Sequence, residues 1–357
     1  MRAAAEGAVL FERMQRIGVI TLNRPAQLNA VNLAMVEAIT AKLAEWRDDP
    51  FVQLVVLEGA GDRGLCAGGD VVALHKAGAG VRDLARRFWQ QEYALIAMIA
   101  RFPKPFVSLM DGTVMGGGIG IAAHAGYRVV TERSRLAVPE TAIGLIPDAG
   151  SLWLLSRLEP ELGAYLGLTG QIMGPGDAIA VDFADGMVAA AGIEDLKDRL
   201  ANPYAGPFEK ILNERLVQAE PGGLAQHRKQ IAQTFGHASL EAILSALETL
   251  GGTWAAGVRD RLLAASPTSL KLTLAALKRA RACRSLEEAL NLEYMLVTRL
   301  LNFGDFLEGI RAMLVDKDHK PAWSPPTLAE TTPVLLDEFF APMLPGEPLT
   351  LRPPPGA

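Results

Sequence analysis

The sequence predicts an α/β protein, because short runs of β-branched residues alternate with helical patterns from residue 17 to about residue 200. Between the first two runs lies a segment with the periodicity of a helix. Asn32 is its predicted N-cap, and Val36, Ile39, Leu43 and Trp46 share one face. The predicted strands are residues 17–22, 52–58, 106–110 and 127–131.

The later part of the sequence is mainly helical. At 357 residues the chain exceeds an average domain, which favours a main domain with appended structure. We predict a core over residues 1–200, a helical insertion over 201–265 and a C-terminal helical region over 266–325. Residues 326–357 are rich in proline and are predicted to form a tail that wraps the surface or is partly disordered.

Composition excludes several classes of function. The net charge of −5 argues against a general nucleic-acid coat, and no apolar run has the length of a membrane span. Two isolated cysteines favour a reducing compartment over a disulfide framework, and the five histidines lack metal-ligand spacing. The N-terminus lacks the apolar core of a signal peptide, so we predict a cytoplasmic protein without a membrane partner.

Two glycine-rich turns, at residues 64–69 and 116–118, each follow a predicted strand. The glycines at 116–118 open a predicted helix at residues 119–124 and leave the N–H groups of its first turn accessible. One N–H group from each turn could bind the same carbonyl oxygen and form an oxyanion hole. The alternative is that the glycines only allow the helix to pack closely on a sheet. Neither turn has the spacing of a dinucleotide or phosphate loop.

Three acidic residues are candidates for chemistry. Glu140 follows the apolar residues 136–138, so partial burial would raise its pKa as a general base requires; the alternative is a capping glutamate at a surface turn. Asp148 is a natural N-cap for a helix at 152–158. Glu92 falls on the apolar face of a predicted helix at 84–99, where it must line a cavity or form a buried ion pair with an arginine.

Several motifs together resemble the enoyl-CoA hydratase/isomerase (crotonase) superfamily over roughly residues 17 to 325. Within it, the segment 138–150 and the later motifs resemble the 3-hydroxyisobutyryl-CoA hydrolase branch. The resemblance implies a core of stacked β-β-α turns and an acyl-CoA carbonyl held between two backbone N–H groups. The motifs are ITLNRPAQLNA (20–30), CAGGD (66–70), DGTVMGGG (111–118), VPETAIGLIPDAG (138–150), SPTSLK (266–271), ALNLEY (289–294) and EGIRAMLVDKDHKPAW (308–323).

The resemblance also implies roles for single residues. Gly69 and Gly117 would be the oxyanion-hole donors, and Glu140 would be the acid–base or nucleophilic group, paired with Asp148. Glu92 would contact the substrate at its hydroxyl. Asp70 and Lys317 are further predicted substrate contacts; Lys317 and Lys271 could meet the CoA phosphates, and the alternative for both lysines is a solvated surface position. No metal or redox cofactor is implied, because CoA is part of the substrate, and a homo-oligomer is possible.

The reaction is predicted from a missing carboxylate. Hydratases of the family usually grip a water with a second acid from the helix after the glycine triplet, but here that position is Gly120 and no acidic residue occurs between Asp111 and Glu132. This favours hydrolysis of a short-chain 3-hydroxyacyl-CoA thioester. By resemblance the substrate is 3-hydroxyisobutyryl-CoA, cleaved to the free acid and CoA in valine breakdown. The alternatives are an enoyl-CoA isomerase or weak hydratase, and a non-catalytic acyl-CoA-binding relative.

Overall fold

The structure, a computed structural model, describes residues 7–343, 349 and 351–352. Its strands alternate between a sheet of long strands and a sheet of short ones. The strands are β1 (Val9–Met14), β2 (Ile17–Leu22), β3 (Leu54–Gly59), β4 (Gly64–Cys66), β5 (Phe106–Met110), β6 (Thr113–Met115), β7 (Tyr127–Val130), β8 (Arg135–Ala137) and β9 (Gly186–Met187).

The larger sheet has the strand order β1-β2-β3-β5-β7-β9. β1 runs antiparallel to β2 and the remaining neighbours are parallel, with Ile17 opposite Leu54 and Val55 opposite Phe106. The predicted strands at 17–22 and 106–110 are confirmed, and those at 52–58 and 127–131 are confirmed with shifts of one or two residues at their ends.

The smaller sheet has the order β4-β6-β8 and explains the repeat that the resemblance implied. After each of β3, β5 and β7 in the larger sheet, a three-residue strand enters the smaller sheet and a helix or helical turn follows. The chain makes this β-β-α turn three times. The predicted α/β core of stacked β-β-α turns is therefore confirmed.

The helices occupy most of the remaining chain. They are α1 (Leu33–Asp48), α2 (Val71–Lys76), α3 (Val81–Ala100), α4 (Gly117–Ala123), α5 (Ser151–Arg157), α6 (Pro160–Thr169), α7 (Pro175–Ala180), α8 (Ile193–Ala201), α9 (Phe208–Asn213), α10 (Gly223–Phe235), α11 (Leu240–Leu250), α12 (Gly252–Ala264), α13 (Pro267–Ala282), α14 (Leu286–Phe303), α15 (Asp305–Ile310) and α16 (Pro333–Phe340). A 3-10 turn covers Glu140–Ile143, and a π-helical turn, Arg311–Val315, follows α15.

Helix α1 begins as the sequence predicts. The side chain of Asn32 accepts a hydrogen bond of 3.0 Å from the Met35 N–H, which is the geometry of an N-cap. The four residues predicted to share the apolar face are all buried. Burial of this face, rather than helix propensity, accounts for the stability of the helix.

The chain divides into two compact units, each assembled from separate segments. The first unit comprises the chain up to residue 69 and residues 94–136 and 172–226. In its core, alternate residues of the larger sheet, such as Val19, Val56 and Val107, pack against Leu196 of α8 and Ile211 of α9. The second unit comprises residues 70–93, 137–171 and the chain from residue 227 on, and it is mainly helical.

The predicted domain boundaries at residues 200, 265 and 325 stay predictions. The predicted tail contains α16, and part of it lies outside the described residues. The N-terminal residues on which the signal-peptide argument depends lie outside them as well. Within the part of the chain that the structure describes, no helix combines the length and apolar character that a membrane crossing requires.

Gly118, in α4, allows the closest approach between the two glycine turns. A β-carbon at this position would lie 2.4 Å from the carbonyl oxygen of Cys66. We expect Gly118→Ala to lower the free energy of unfolding by about 1–3 kcal/mol, because backbone atoms must move to relieve the overlap. Urea unfolding followed by circular dichroism measures the change.

Gly257→Ala in α12 is the matched control, since no atom lies within 4 Å of the added β-carbon. Alanine there should leave the stability unchanged or raise it by up to about 1 kcal/mol. Equal midpoints for both variants would contradict the importance of this backbone contact.

Candidate active site

Four carboxyl groups and one phenol are buried together in the helical unit. The side chains of Glu92, Glu140, Asp148 and Glu293 belong to residues that are 2%, 4%, 5% and 0% exposed, and Tyr93 is 0% exposed. We call these five residues the acidic cluster. Carboxyl groups are almost never fully buried without a cationic partner, so this arrangement is a candidate for function rather than stability.

Each member of the acidic cluster is supplied by a different part of the unit, except for one adjacent pair. Glu92 and Tyr93 are neighbours on α3, and Glu140 is the first residue of the 3-10 turn after β8. Asp148 lies in the turn before α5, and Glu293 lies in the middle of α14. The surface-turn alternative for Glu140 is excluded by its burial.

The backbone around Glu140 is fixed by contact between the 3-10 turn and α15. Gly144 ends the turn with a φ of +73°, and a β-carbon there would lie 2.4 Å from the carbonyl oxygen of Asp305. A β-carbon on Gly309 would lie 2.4 Å from the carbonyl oxygen of Ile143. Both glycines thus allow direct backbone contact, and the position of Glu140 is set by main-chain packing.

The carboxyl group of Glu140 itself has no fixed partner. Neither oxygen of Glu140 has a hydrogen-bond partner among the described residues. The same is true of Oε1 of Glu92. Buried polar atoms are normally paired, so these oxygens are available to a ligand or a water molecule. The predicted alternative for Glu92, a buried ion pair with arginine, is not observed among the residues that the structure describes.

Asp148 makes a different contact from the one that the sequence predicts. Its side chain does not cap α5; instead Oδ2 accepts a hydrogen bond of 2.6 Å from the hydroxyl of Tyr93. The cap is supplied by Glu293, whose two carboxylate oxygens accept hydrogen bonds from the N–H groups of Gly150 (2.7 Å) and Leu152 (3.0 Å). A carboxyl group from α14 thus accepts hydrogen bonds from N–H groups at the start of α5 that have no partner within the helix.

Sequence reasoning missed Tyr93 and Glu293 as members of the cluster. A signal for Glu293 was present, because it lies on the buried face of α14 with Leu290 and Val297, at a position where a hydrophobic residue is expected. The same pattern identified Glu92. Tyr93 carries no such signal, since a buried tyrosine is ordinary in a core.

Burial and mutual repulsion control the protonation of the cluster. Burial raises the pKa of Glu92, Glu140 and Glu293 well above the ordinary range, and the negative charge of Asp148 adds to each shift. Burial raises the pKa of Asp148 only to about 6, because hydrogen bonds from Tyr93 and from the backbone stabilise its charged form. Hydrogen bonding therefore favours the ionised form of Asp148, while burial makes its three acidic neighbours bind protons more tightly than exposed carboxyls do.

The glycine turns lie in the first unit, where β4 and β6 are adjacent parallel strands. Gly68 has a φ of +105°, and a β-carbon on it would lie 3.4 Å from the Gly117 nitrogen, so the two turns are in close contact. Gly117 is the first residue of α4, where an N–H group has no partner within the helix. The N–H groups of Gly69 and Gly117 have no acceptor among the described residues, and their role as an oxyanion hole stays a prediction.

The other predicted contacts have structural partners of their own. The Asp70 side chain accepts a hydrogen bond of 3.1 Å from the Ala73 N–H and caps α2. Lys317 is exposed, in a loop that Arg311 holds through ion pairs to Asp316 and Asp318. Substrate binding by Asp70 and Lys317 stays a prediction. Lys271 is already engaged by an ion pair of 2.7 Å with Glu241 and by two backbone carbonyls.

No metal site accompanies these groups within residues 7–343, 349 and 351–352: no set of three or more histidine, cysteine, aspartate or glutamate side chains is arranged to hold an ion. Burial raises the pKa of all four carboxyls of the acidic cluster, so they bind protons more tightly than exposed carboxyls do. Such carboxyls can act as general acids, general bases or nucleophiles.

Comparison with known proteins gives one consistent family. The profile of the enoyl-CoA hydratase/isomerase family matches residues 17–340. The mitochondrial 3-hydroxyisobutyryl-CoA hydrolase of Danio rerio is 38% identical over 96% of this chain and 91% of its own length. The human enzyme of the same name is 37% identical over 93% of this chain and 88% of its own length.

Two solved structures are similar over almost their whole length. A protein described as a carnitinyl-CoA dehydratase from Mycobacterium thermoresistibile is 39% identical to this chain, with a TM-score of 0.90. The match covers 97% of this chain and 99% of that one. One described as an enoyl-CoA hydratase from Rhodobacter sphaeroides is 41% identical, with a TM-score of 0.89 and coverage of 97% and 100%.

The raised pKa of Glu140 makes protein stability depend on pH. Its carboxyl binds a proton more tightly in the folded state than in the unfolded chain, where its pKa is about 4.3. The resulting stabilisation is complete below the unfolded pKa and is lost as the pH rises through the folded one. We expect Glu140→Gln to be more stable than the wild type at about pH 8 and to lose less stability between about pH 5 and 8.

Urea unfolding at several pH values measures this slope. Glu248→Gln, which changes an exposed residue of α11, should keep the wild-type slope. If the free energy of unfolding changed with pH in the same way for Glu140→Gln and the wild type, Glu140 would bind its proton equally in the folded and unfolded states.

Proposed function

This chain belongs to the enoyl-CoA hydratase/isomerase family, and we propose that it hydrolyses 3-hydroxyisobutyryl-CoA, a short-chain 3-hydroxyacyl-CoA thioester, to the free acid and CoA. The proposal is supported by relatives of that name that match the chain over most of its length. The observation that carries it is the burial of Glu140 and Asp148 in the helical unit, which raises the pKa of both carboxyl groups.

Hydrolysis of a thioester needs two contributions from the protein. The first is stabilisation of the negative charge that develops on the carbonyl oxygen, which we assign to the N–H groups of Gly69 and Gly117. The second is a carboxylate that acts on water or on the carbonyl carbon, which we assign to Glu140. The two carboxyls are coupled, because the negative charge of Asp148 raises the pKa of Glu140 and so strengthens the Glu140 carboxylate as a proton acceptor.

Both routes through Glu140 give the same products. As a general base, its carboxylate removes a proton from water, the new C–O bond forms and the C–S bond breaks, and the proton passes to the CoA thiolate. As a nucleophile, one of its oxygens displaces CoA and forms an anhydride, which water then hydrolyses to the free acid and the carboxyl group. Glu92 supplies a further unpaired oxygen, which we assign to the substrate hydroxyl.

A hydratase is the second candidate, because the two similar solved structures are described as a dehydratase and a hydratase. The structure of the glycine turn disfavours it. Helix α4 contains only glycine, isoleucine and alanine, so it supplies no second carboxylate to hold the reacting water. The acidic groups of the cluster instead come from α3, the 3-10 turn, the turn before α5 and α14.

The predictions for cofactors, cellular location and oligomeric state are part of the same proposal. The reaction uses water and needs no metal or redox cofactor. The vertebrate relatives are named as mitochondrial enzymes, whereas we predicted a cytoplasmic protein from the sequence; fractionation of the native cells decides between the two locations. A homo-oligomer stays a prediction that sedimentation can test.

Release of CoA from 3-hydroxyisobutyryl-CoA, followed with a free-thiol reagent, tests the function. We expect turnover by the wild type and a loss of at least about 100-fold in Glu140→Ala, because the activated carboxylate is removed. Glu248→Ala is the control and should keep wild-type activity. Loss of absorbance from crotonyl-CoA without free thiol would instead identify a hydratase.

Gly117→Val tests the predicted oxyanion hole. A side chain at this position should displace the substrate carbonyl from the N–H group, and loss of one such donor costs roughly 3–4 kcal/mol of transition-state stabilisation. We expect kcat to fall by about 100- to 1000-fold while the circular dichroism spectrum is kept. Near-normal kcat and KM in the folded variant would remove Gly117 from the site.

A further inference from the structure

We propose that Tyr93 is a positioning residue for Asp148: its buried hydroxyl holds Oδ2 of that carboxyl in one orientation and favours the ionised form of Asp148. The inference rests on the proposed hydrolysis, since it names the group that prepares one of its two carboxyls. It assigns a role to a residue that the family motifs do not mark.

The contact has the geometry of a strong hydrogen bond. The O–O distance of 2.6 Å is typical of a hydroxyl that donates to a carboxylate, and both residues are almost completely shielded from solvent. The donor can be replaced by water only if the core opens. The bond therefore fixes the Asp148 carboxyl within the folded unit.

The position of the hydroxyl is fixed by the packing of the ring. Tyr93 lies against Tyr294 of α14 in an edge-to-face arrangement, with ring centroids 6.5 Å apart and planes at 82°. Glu293, which holds the backbone on the C-terminal side of Asp148, lies next to Tyr294 in the same helix. Helix α14 thus supports both the tyrosine ring and the turn that carries Asp148.

The other side chains that face Asp148 are acidic, and the hydroxyl of Tyr93 is the side-chain group that stabilises the ionised form of Asp148. Glu92 on α3, Glu140 on the 3-10 turn and Glu293 on α14 are all acidic, and each would oppose a second negative charge. Burial and the charges of Asp148, Glu293 and Glu92 raise the pKa of Tyr93 well above its ordinary value, so the phenol keeps its proton and remains a donor. By contrast, the Glu140 oxygens have no partner among the described residues.

Tyr93→Phe, in the full chain, tests the role by the pH dependence of kcat/KM for CoA release. Ionisation of both Glu140 and Asp148 shapes the acid limb. A hydrogen bond to a charged group shifts a pKa by about 1–2 units, so the Asp148 step, expected near pH 6 in the wild type, should move upward by about that amount. Activity should recover as the pH is raised. A loss of activity without movement of the limb would mean that Tyr93 only supports packing, and would overturn the proposal.

Two further variants separate the hydroxyl from the ring. Tyr165→Phe removes another buried tyrosine hydroxyl, which donates to Gln171 at 3.4 Å, and should leave the acid limb in place. Incorporation of 3-fluorotyrosine at position 93 keeps the ring and strengthens the donor, so the limb should move to lower pH. This variant decides the question if Tyr93→Phe does not fold, and an unmoved limb would contradict the proposal.

Infrared titration of the protonated carboxyl band provides a measurement that does not depend on turnover. The Asp148 component is identified by its loss in Asp148→Asn, and its midpoint should rise in Tyr93→Phe. If the wild type cleaves no thioester, the proposed function fails, while the infrared midpoint still decides whether Tyr93 controls Asp148. An unchanged midpoint would overturn the inference even in an active enzyme.

Discussion

The burial of several carboxyl groups with no cationic partner among the described residues is the constraint on which the rest of the site depends. Burial and the charge of Asp148 raise the pKa of Glu92, Glu140 and Glu293, so simultaneous ionisation of all four carboxyls in a low-dielectric interior is unfavourable. Stability alone does not select such an arrangement, because an apolar core would cost less. A carboxyl with a raised pKa is a stronger proton acceptor once it is ionised, which fits the catalytic role that we propose for Glu140.

The surrounding structure is organised to tolerate this cost. Gly144 and Gly309 bring the backbone of the 3-10 turn against α15, and Glu293 binds the first N–H groups of α5. Each contact fixes main chain rather than the reactive oxygens. The carboxyl of Glu140 is therefore held in place while its oxygens stay without partners among the described residues, which is the combination expected of a group that must bind a substrate or water.

Much of the fold could be predicted from the sequence, and the limits have physical causes. The strands at 17–22 and 106–110 are long, apolar and bounded by turns, so their pattern is unambiguous. The strands β4, β6 and β8 have three residues each, which is too short for any periodicity to show. The glycine turns go with β4 and β6, and their glycine content, rather than a strand pattern, indicated that the two turns could supply the N–H groups of one oxyanion hole.

The site was predictable to a similar degree. Glu92 and Glu140 could be singled out because a charge on an apolar face, or directly after an apolar run, conflicts with its surroundings. Asp148 was predicted as a helix cap, since local sequence favours the nearest partner, but the structure supplies that cap from Glu293, over a hundred residues away in the chain. Contacts of this kind depend on tertiary packing, and no local pattern encodes them.

The reaction that such a site supports follows from where its carboxyls originate. In this chain every member of the acidic cluster belongs to the helical unit, and α4, which follows the glycine turn, is entirely non-polar. Within the cluster, Asp148 has a phenol donor and Glu140 has none among the described residues, so two chemically similar groups differ in how readily they ionise. One fold can thus serve addition of water to a double bond or cleavage of a thioester, and the side chains that surround each carboxyl decide between them.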